Sequence, residues 1–152
     1  LKVIGNVLDN CPTVKVVLAG PNDRSPVENA LKRYIALGRV AVLPTSDVHA
    51  LGHLVNLGID TFPTHSGFSV LELMAKGVPV VAKRGVKNHI NMRQRIPDLV
   101  CEDESSLVDL ICQLVQIPDM LEKYRHSSKE LVVSKSNDKR FLCALDRTLL
   151  EA

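Results

Sequence analysis

The sequence predicts an open parallel α/β sheet with helices on both faces, and three features predict it. Short runs rich in Val, Ile and Leu alternate with amphipathic segments in the order α-β-α-β-α-β-α-β. The runs are near-continuously apolar, as in strands covered on both faces. The connections are only a few residues long, which suits right-handed crossovers between neighbouring strands.

Each element has its own signal. Leu1, Ile4, Val7 and Leu8 have helical spacing, and Asn10 with Pro12 ends that helix. Val14 to Ala19 is an apolar run closed by Gly20-Pro21 and reads as a central strand buried on both faces. A helix over Pro26 to Gly38 follows, with Ser25 as N-cap and Pro26 at its first position. Val40 to Leu43 is a second strand, stopped by Pro44. Thr45-Ser46-Asp47 caps a helix from Val48 to about Leu57. Ile59 to Phe62 and Val78 to Val81 are further strands, with a short helix between them that stops at Gly77. Leu99-Val100-Cys101 is a last short strand. Extra helices close the chain. One starts at Ser106 with Leu107, Leu110, Ile111, Leu114 and Val115 as its stripe, and one starts at Pro118. After a polar break from Ser134 to Lys139, a terminal helix carries Phe141, Leu142, Leu145, Leu149 and Leu150.

Composition narrows the function. The chain has 152 residues, enough for one domain with a core. A net charge of +2 is too small to argue for nucleic acid, and 3% aromatic residues without Trp give little to stack bases on. No apolar run reaches the length of a transmembrane span and no secretory signal is visible. Cys11, Cys101, Cys112 and Cys143 are scattered without a C-x-x-C, which reads as free thiols in a reducing cytoplasm. The expected location is cytoplasmic.

The site signal lies between Ile59 and Val81. A buried strand feeds the small polar loop Thr64-His65-Ser66-Gly67-Phe68, and Ser69 with Glu72 three residues later has the spacing of a capping box. Unpaired N–H groups and the helix dipole both face such a loop, which makes it an anion site. Pro44 and Thr45 end a strand on the same edge, where ligands of open α/β sheets collect. No G-x-G-x-x-G and no G-x-x-x-x-G-K-[ST] is present, which weakens dinucleotide and NTPase readings, and there is no D-x-D.

The run Ser69-Val70-Leu71-Glu72-Leu73-Met74-Ala75-Lys76-Gly77-Val78-Pro79-Val80-Val81 resembles the donor-binding signature of the GT-B glycosyltransferases. Gly67-Phe68, Leu71-Glu72, Met74-Ala75, Gly77 and Pro79-Val80-Val81 fall in register with it. The likeness extends from about Val14 to Val81 and more loosely to the end. It implies a Rossmann-like sheet, one half of a GT-B fold, as a single donor-binding domain over residues 1–152. It implies glycosyl transfer from a nucleotide-sugar, a UDP-sugar, to an acceptor the sequence does not name. By position, Glu72 inherits the contact to the ribose hydroxyls. Pro44, Thr45, Thr64, His65, Ser66, Gly67, Phe68 and Ser69 complete the expected nucleotide-sugar site. The family's first acidic residue would fall on Thr64 and is absent, so the likeness to the E-x7-E glycosyltransferases is partial. The polar loop also resembles that of the O-GlcNAc transferase group, which has Asp where Glu72 stands.

Alternatives stay open at several of these residues. Glu72 is either a cap partner of Ser69 or a ribose ligand. Lys83, Arg84, Lys87, His89, Arg93 and Arg95 are either a solvated face or counter-charge for a diphosphate. His65 is the one catalytic candidate, since it lies in the ligand loop, although it could equally cap a strand end. His49 and His53 have metal-capable spacing without a third ligand, so no metal site and no cofactor is expected. Two rivals to a transferase share the architecture: a nucleotide-sugar epimerase, and a non-catalytic interaction module. The opening inside a helix leads us to expect a piece of a longer two-domain enzyme. Its missing N-terminal domain would be a partner supplying the acceptor site. The terminal helix would then show an apolar side prone to self-association.

Overall fold

The computed structural model describes residues 1–20, 23–44, 47–61, 68–84 and 95–136. Its elements are α1 (Lys2–Asn10), β1 (Val16–Ala19), α2 (Ser25–Ala30), α3 (Lys32–Ala36), β2 (Val40–Leu43), α4 (Val48–Leu54), β3 (Gly58–Ile59), α5 (Phe68–Ala75) and β4 (Val80–Lys83). A 3-10 turn (Pro97–Leu99) then leads into β5 (Val100–Cys101), α6 (Glu104–Gln116) and α7 (Pro118–Ser136).

The strands form parallel ladders, as the alternating order requires. β1 pairs with β2, with Val16 opposite Val40 and Ala19 opposite Leu43. β4 lies between β3 and β5, with Gly58 opposite Val80 and Ala82 opposite Val100. Val80 and Val81 are consecutive in β4 and so point to opposite faces. Val80 packs with Val70 and Met74 of α5 and with Leu131 and Val132 of α7. Val81 packs with Val3 and Val7 of α1 and with Leu107, Ile111 and Leu114 of α6. Both faces of this ladder are therefore helical. Leu8, one residue beyond Val7, enters a different cluster with Leu31, Tyr34 and Val40 over β1 and β2. One helix thus serves both ladders.

Local chemistry explains the element ends. Asp47 caps α4, its carboxylate accepting from His49 N at 2.8 Å. Gly77 ends α5 with φ +78, a left-handed conformation that other residues adopt only at a cost.

Several expectations need correction. β1 is not buried on both faces: Val17 is 41% exposed, because the cluster over this ladder takes in Val16, Leu18, Val40 and Val42 and leaves Val17, Ala19 and Ala41 outside. The helix expected over 26–38 is two helices. Its ladder gives way at Leu31, whose carbonyl accepts from Tyr34 N three residues on. α6 starts at Glu104, ahead of Ser106, because the Asp103 carboxylate accepts from Ser106 N at 2.8 Å. Val108 replaces Val115 on its buried stripe. α7 runs through the expected break at Ser134, whose hydroxyl donates to Leu131 O at 2.8 Å within the helix. The helix expected from Phe141 to Leu150 lies outside the described residues.

Candidate functional site

In a parallel ladder the carboxyl ends of the strands share one edge, and ligands of open α/β sheets bind there. Pro44 occupies an exposed bend directly after β2. Asp60 directly follows β3, and Arg84 directly follows β4. The expected site residues Thr45, Thr64, His65, Ser66 and Gly67 lie outside the described residues, as do Lys87, His89 and Arg93. Phe68 opens α5.

α5 carries the remaining two. Val70, Leu71 and Met74 are buried, so the opposite side of the helix is turned outward. Ser69 is half-buried and Glu72 exposed. The helix begins at Phe68, which places Ser69 inside the first turn and Glu72 beyond it. Ser69 therefore does not occupy the N-cap that a capping box with Glu72 would need. Among the described residues the Glu72 carboxylate makes no hydrogen bond or ion pair. Side chains on a helix lean toward its N-terminus, so Glu72 lies over the turn nearest the loop end.

The basic stretch is explained in part. Arg95 is buried rather than solvated. Its Nε and Nη2 both donate to Asp60 Oδ2, at 3.1 and 2.7 Å, and the two side chains are 1% and 0% exposed. Lys83 pairs with Glu104 at 3.5 Å and Arg84 with Glu102 at 2.8 Å. The Asp60–Arg95 contact escapes a reading of the sequence, because 35 residues separate the partners and neither follows a spacing rule.

Other candidate chemistry is quiet. His49 lies on α4 one turn before His53, which is exposed; no group of three His, Cys, Asp or Glu that could hold a metal occurs among the described residues. Burial, with Asp103 and Glu102 nearby, pushes the Cys101 thiol up, so it stays protonated near neutrality and is not an activated nucleophile. What the described residues offer is the exposed carboxylate of Glu72 on α5, without a partner among them and able to accept hydrogen bonds.

No protein-family model matches the chain, and no curated protein matches it in sequence. Solved structures do match. A pneumococcal O-GlcNAc transferase, GtfA, in complex with UDP and GlcNAc superposes with a TM-score of 0.75 at 15% identity, over 99% of this chain and 32% of that one. A mutant of the O-GlcNAc transferase of Thermobaculum terrenum gives 0.75 at 19% identity, over 97% and 32%. Sucrose-phosphate synthase from Thermosynechococcus elongatus gives 0.73 at 18% identity, over 99% and 42%. The chain spans about a third of the length of the two transferases. No helix among the described residues is long and apolar enough to cross a membrane. The chain has the Rossmann-like fold of one half of a GT-B glycosyltransferase.

Proposed function

We propose that this chain binds a nucleotide-sugar, a UDP-sugar, as the donor half of a glycosyltransferase. The single observation that carries the reading is Glu72, exposed on the helix that follows β3 and without a partner among the described residues. A carboxylate there can accept both hydroxyl protons of a ribose. The likeness to an O-GlcNAc transferase solved with UDP supports the same assignment. In this reading the diphosphate sits at the N-terminus of α5 with Ser66 to Ser69 as its contacts, because a helix leaves its first N–H groups unpaired. The base lies toward Pro44 and Thr45.

The chain matches only part of each neighbour's length. Acceptor binding and a catalytic base therefore fall to a second domain in this proposal, and the donor half alone binds without transferring. An inverting transfer needs a base within hydrogen-bond reach of the acceptor hydroxyl. His65 is the candidate within the loop. A second domain would also exclude the water that hydrolyses the donor.

Titrating UDP while recording amide resonances tests the site. Shifts are expected at Leu43, Thr45 and Ser66 to Glu72, with a Kd in the roughly micromolar-to-millimolar range. Shifts confined to α6 and α7 would overturn the assignment.

A further inference from the structure

Two thiols far apart in sequence are brought together away from the candidate site. The Cys11 and Cys112 sulfurs are 2.7 Å apart, across 101 positions of chain. Both sit on fixed backbone. Cys11 ends α1, its N–H bonded to Val7 O at 2.8 Å, and its carbonyl accepts from Arg39 Nη2 at 2.7 Å. Cys112 lies in the middle of α6, which packs along α1 and shares its core of Val3, Val7, Leu107 and Ile111.

We propose that Cys11 and Cys112 form a thiol–disulfide exchange site that closes an intramolecular disulfide on reaction with a small-molecule disulfide. The close approach of the two sulfurs supplies what most cysteine pairs lack, since bridging partners must already lie close with converging side chains. Cys112 is half-buried and Cys11 is 2% exposed, so the incoming disulfide meets Cys112 first. Cys112 gives its proton to water, its thiolate attacks one sulfur, the S–S bond of the reagent breaks, and the leaving thiolate takes up a proton. Cys11 then loses its proton to solvent and displaces the second reagent thiol from Cys112. The protein loses two protons and two electrons, and the reagent gains both as it becomes two thiols. Burial, the Cys11 contact and Asp109 push the Cys112 thiol up to about 12. The exchange is therefore slow near neutrality, and the reduced pair persists until an oxidant is supplied. The ring closed by this bond contains every residue assigned to the candidate site, from Pro44 to Glu72.

The test uses the whole chain, reduced and then incubated with oxidised glutathione. The expected product is lighter by two hydrogens, yields a peptide joining Cys11 to Cys112 on digestion, and melts about 10 °C higher until dithiothreitol reverses it. Cys112→Ser should abolish all three readouts, whereas Cys101→Ser and Cys143→Ser should leave them intact. A stable mixed disulfide with glutathione at Cys112, a link from either thiol to Cys101 or Cys143, or unchanged thiols would each overturn the proposal.

Discussion

Arg95 holds one carboxylate oxygen of Asp60 with two of its nitrogens, and both side chains are withdrawn from solvent. Asp60 precedes the segment 62–67, and Arg95 follows the segment 85–94. The pair therefore joins the approach to the first of these stretches to the residue that ends the second.

Breaking this pair should be costly. Removing one partner leaves the other charge buried without this contact, at about 3–5 kcal/mol. Asp60→Ala and Arg95→Ala should each destabilise by that order in urea denaturation. The double variant should cost less than the sum, because the contact between the two is already lost in either single variant. Additive losses would show that the contact does not couple the two residues.

Glu72 separates binding from folding. It is exposed and outside the first turn of α5, so Glu72→Gln should leave the melting temperature unchanged. Loss of a charge-assisted contact to ribose should weaken UDP binding roughly 10- to 100-fold in calorimetric titration. Unaltered affinity would remove Glu72 from the site.

Asp103 gives a pH dependence with a defined sign. The Ser106 N–H it accepts at the head of α6 holds its carboxyl below the usual carboxylate range. A depressed native value stabilises the fold above the ordinary carboxylate pKa, and that contribution disappears as pH falls through the native value. Asp103→Ala should lower the melting temperature at neutral pH by about 3 °C. It should also flatten the stability profile below about pH 4. Asp103→Asn should retain the cap and lose only the pH dependence. A wild-type profile that stays flat through this range would refute the assignment.

Gly77→Ala tests backbone strain. The residue has φ +78, and an added Cβ would meet Lys129 Cε of α7 at 2.6 Å. The lysine end can swing aside, so the φ penalty of about 1–2 kcal/mol is expected to dominate. Adding Lys129→Ala should therefore recover little of the loss. Full recovery would show that crowding is the cause.

Signals carried by neighbouring residues were legible in the sequence. Asp47 precedes an apolar run and caps it; Gly77 follows a helical stripe and ends it; Pro79-Val80-Val81 is apolar throughout and is buried. Decisions made by distant residues were not legible. Val17 looks as buried as Val16, yet its exposure depends on which face α1 and α3 cover. Arg95 reads as one more charge in a basic stretch until a partner 35 positions earlier withdraws it from water. Ser106 reads as a helix start, yet the carboxylate of Asp103 accepts from its amide and the helix begins at Glu104. Around the proposed site, Pro44 follows β2 as its place in the sequence suggests, whereas the position of Ser69 inside α5 and the exposure of Glu72 came only from the packing of that helix.

The division of α1 between two clusters has a kinetic consequence. Val3 and Val7 belong with β4 and α6, whereas Leu8 belongs with β1 and β2, and these two ladders share no strand pairing among the described residues. Cooperative opening follows shared contacts, so the chain should breathe as two units with α1 as their common member. Backbone amides of Val16 and Leu18, beside an open face, should exchange with deuterium well before those of Val81 and Ala82. Those of α1 should hold out as long as the slower unit, because that helix is released only when both have opened.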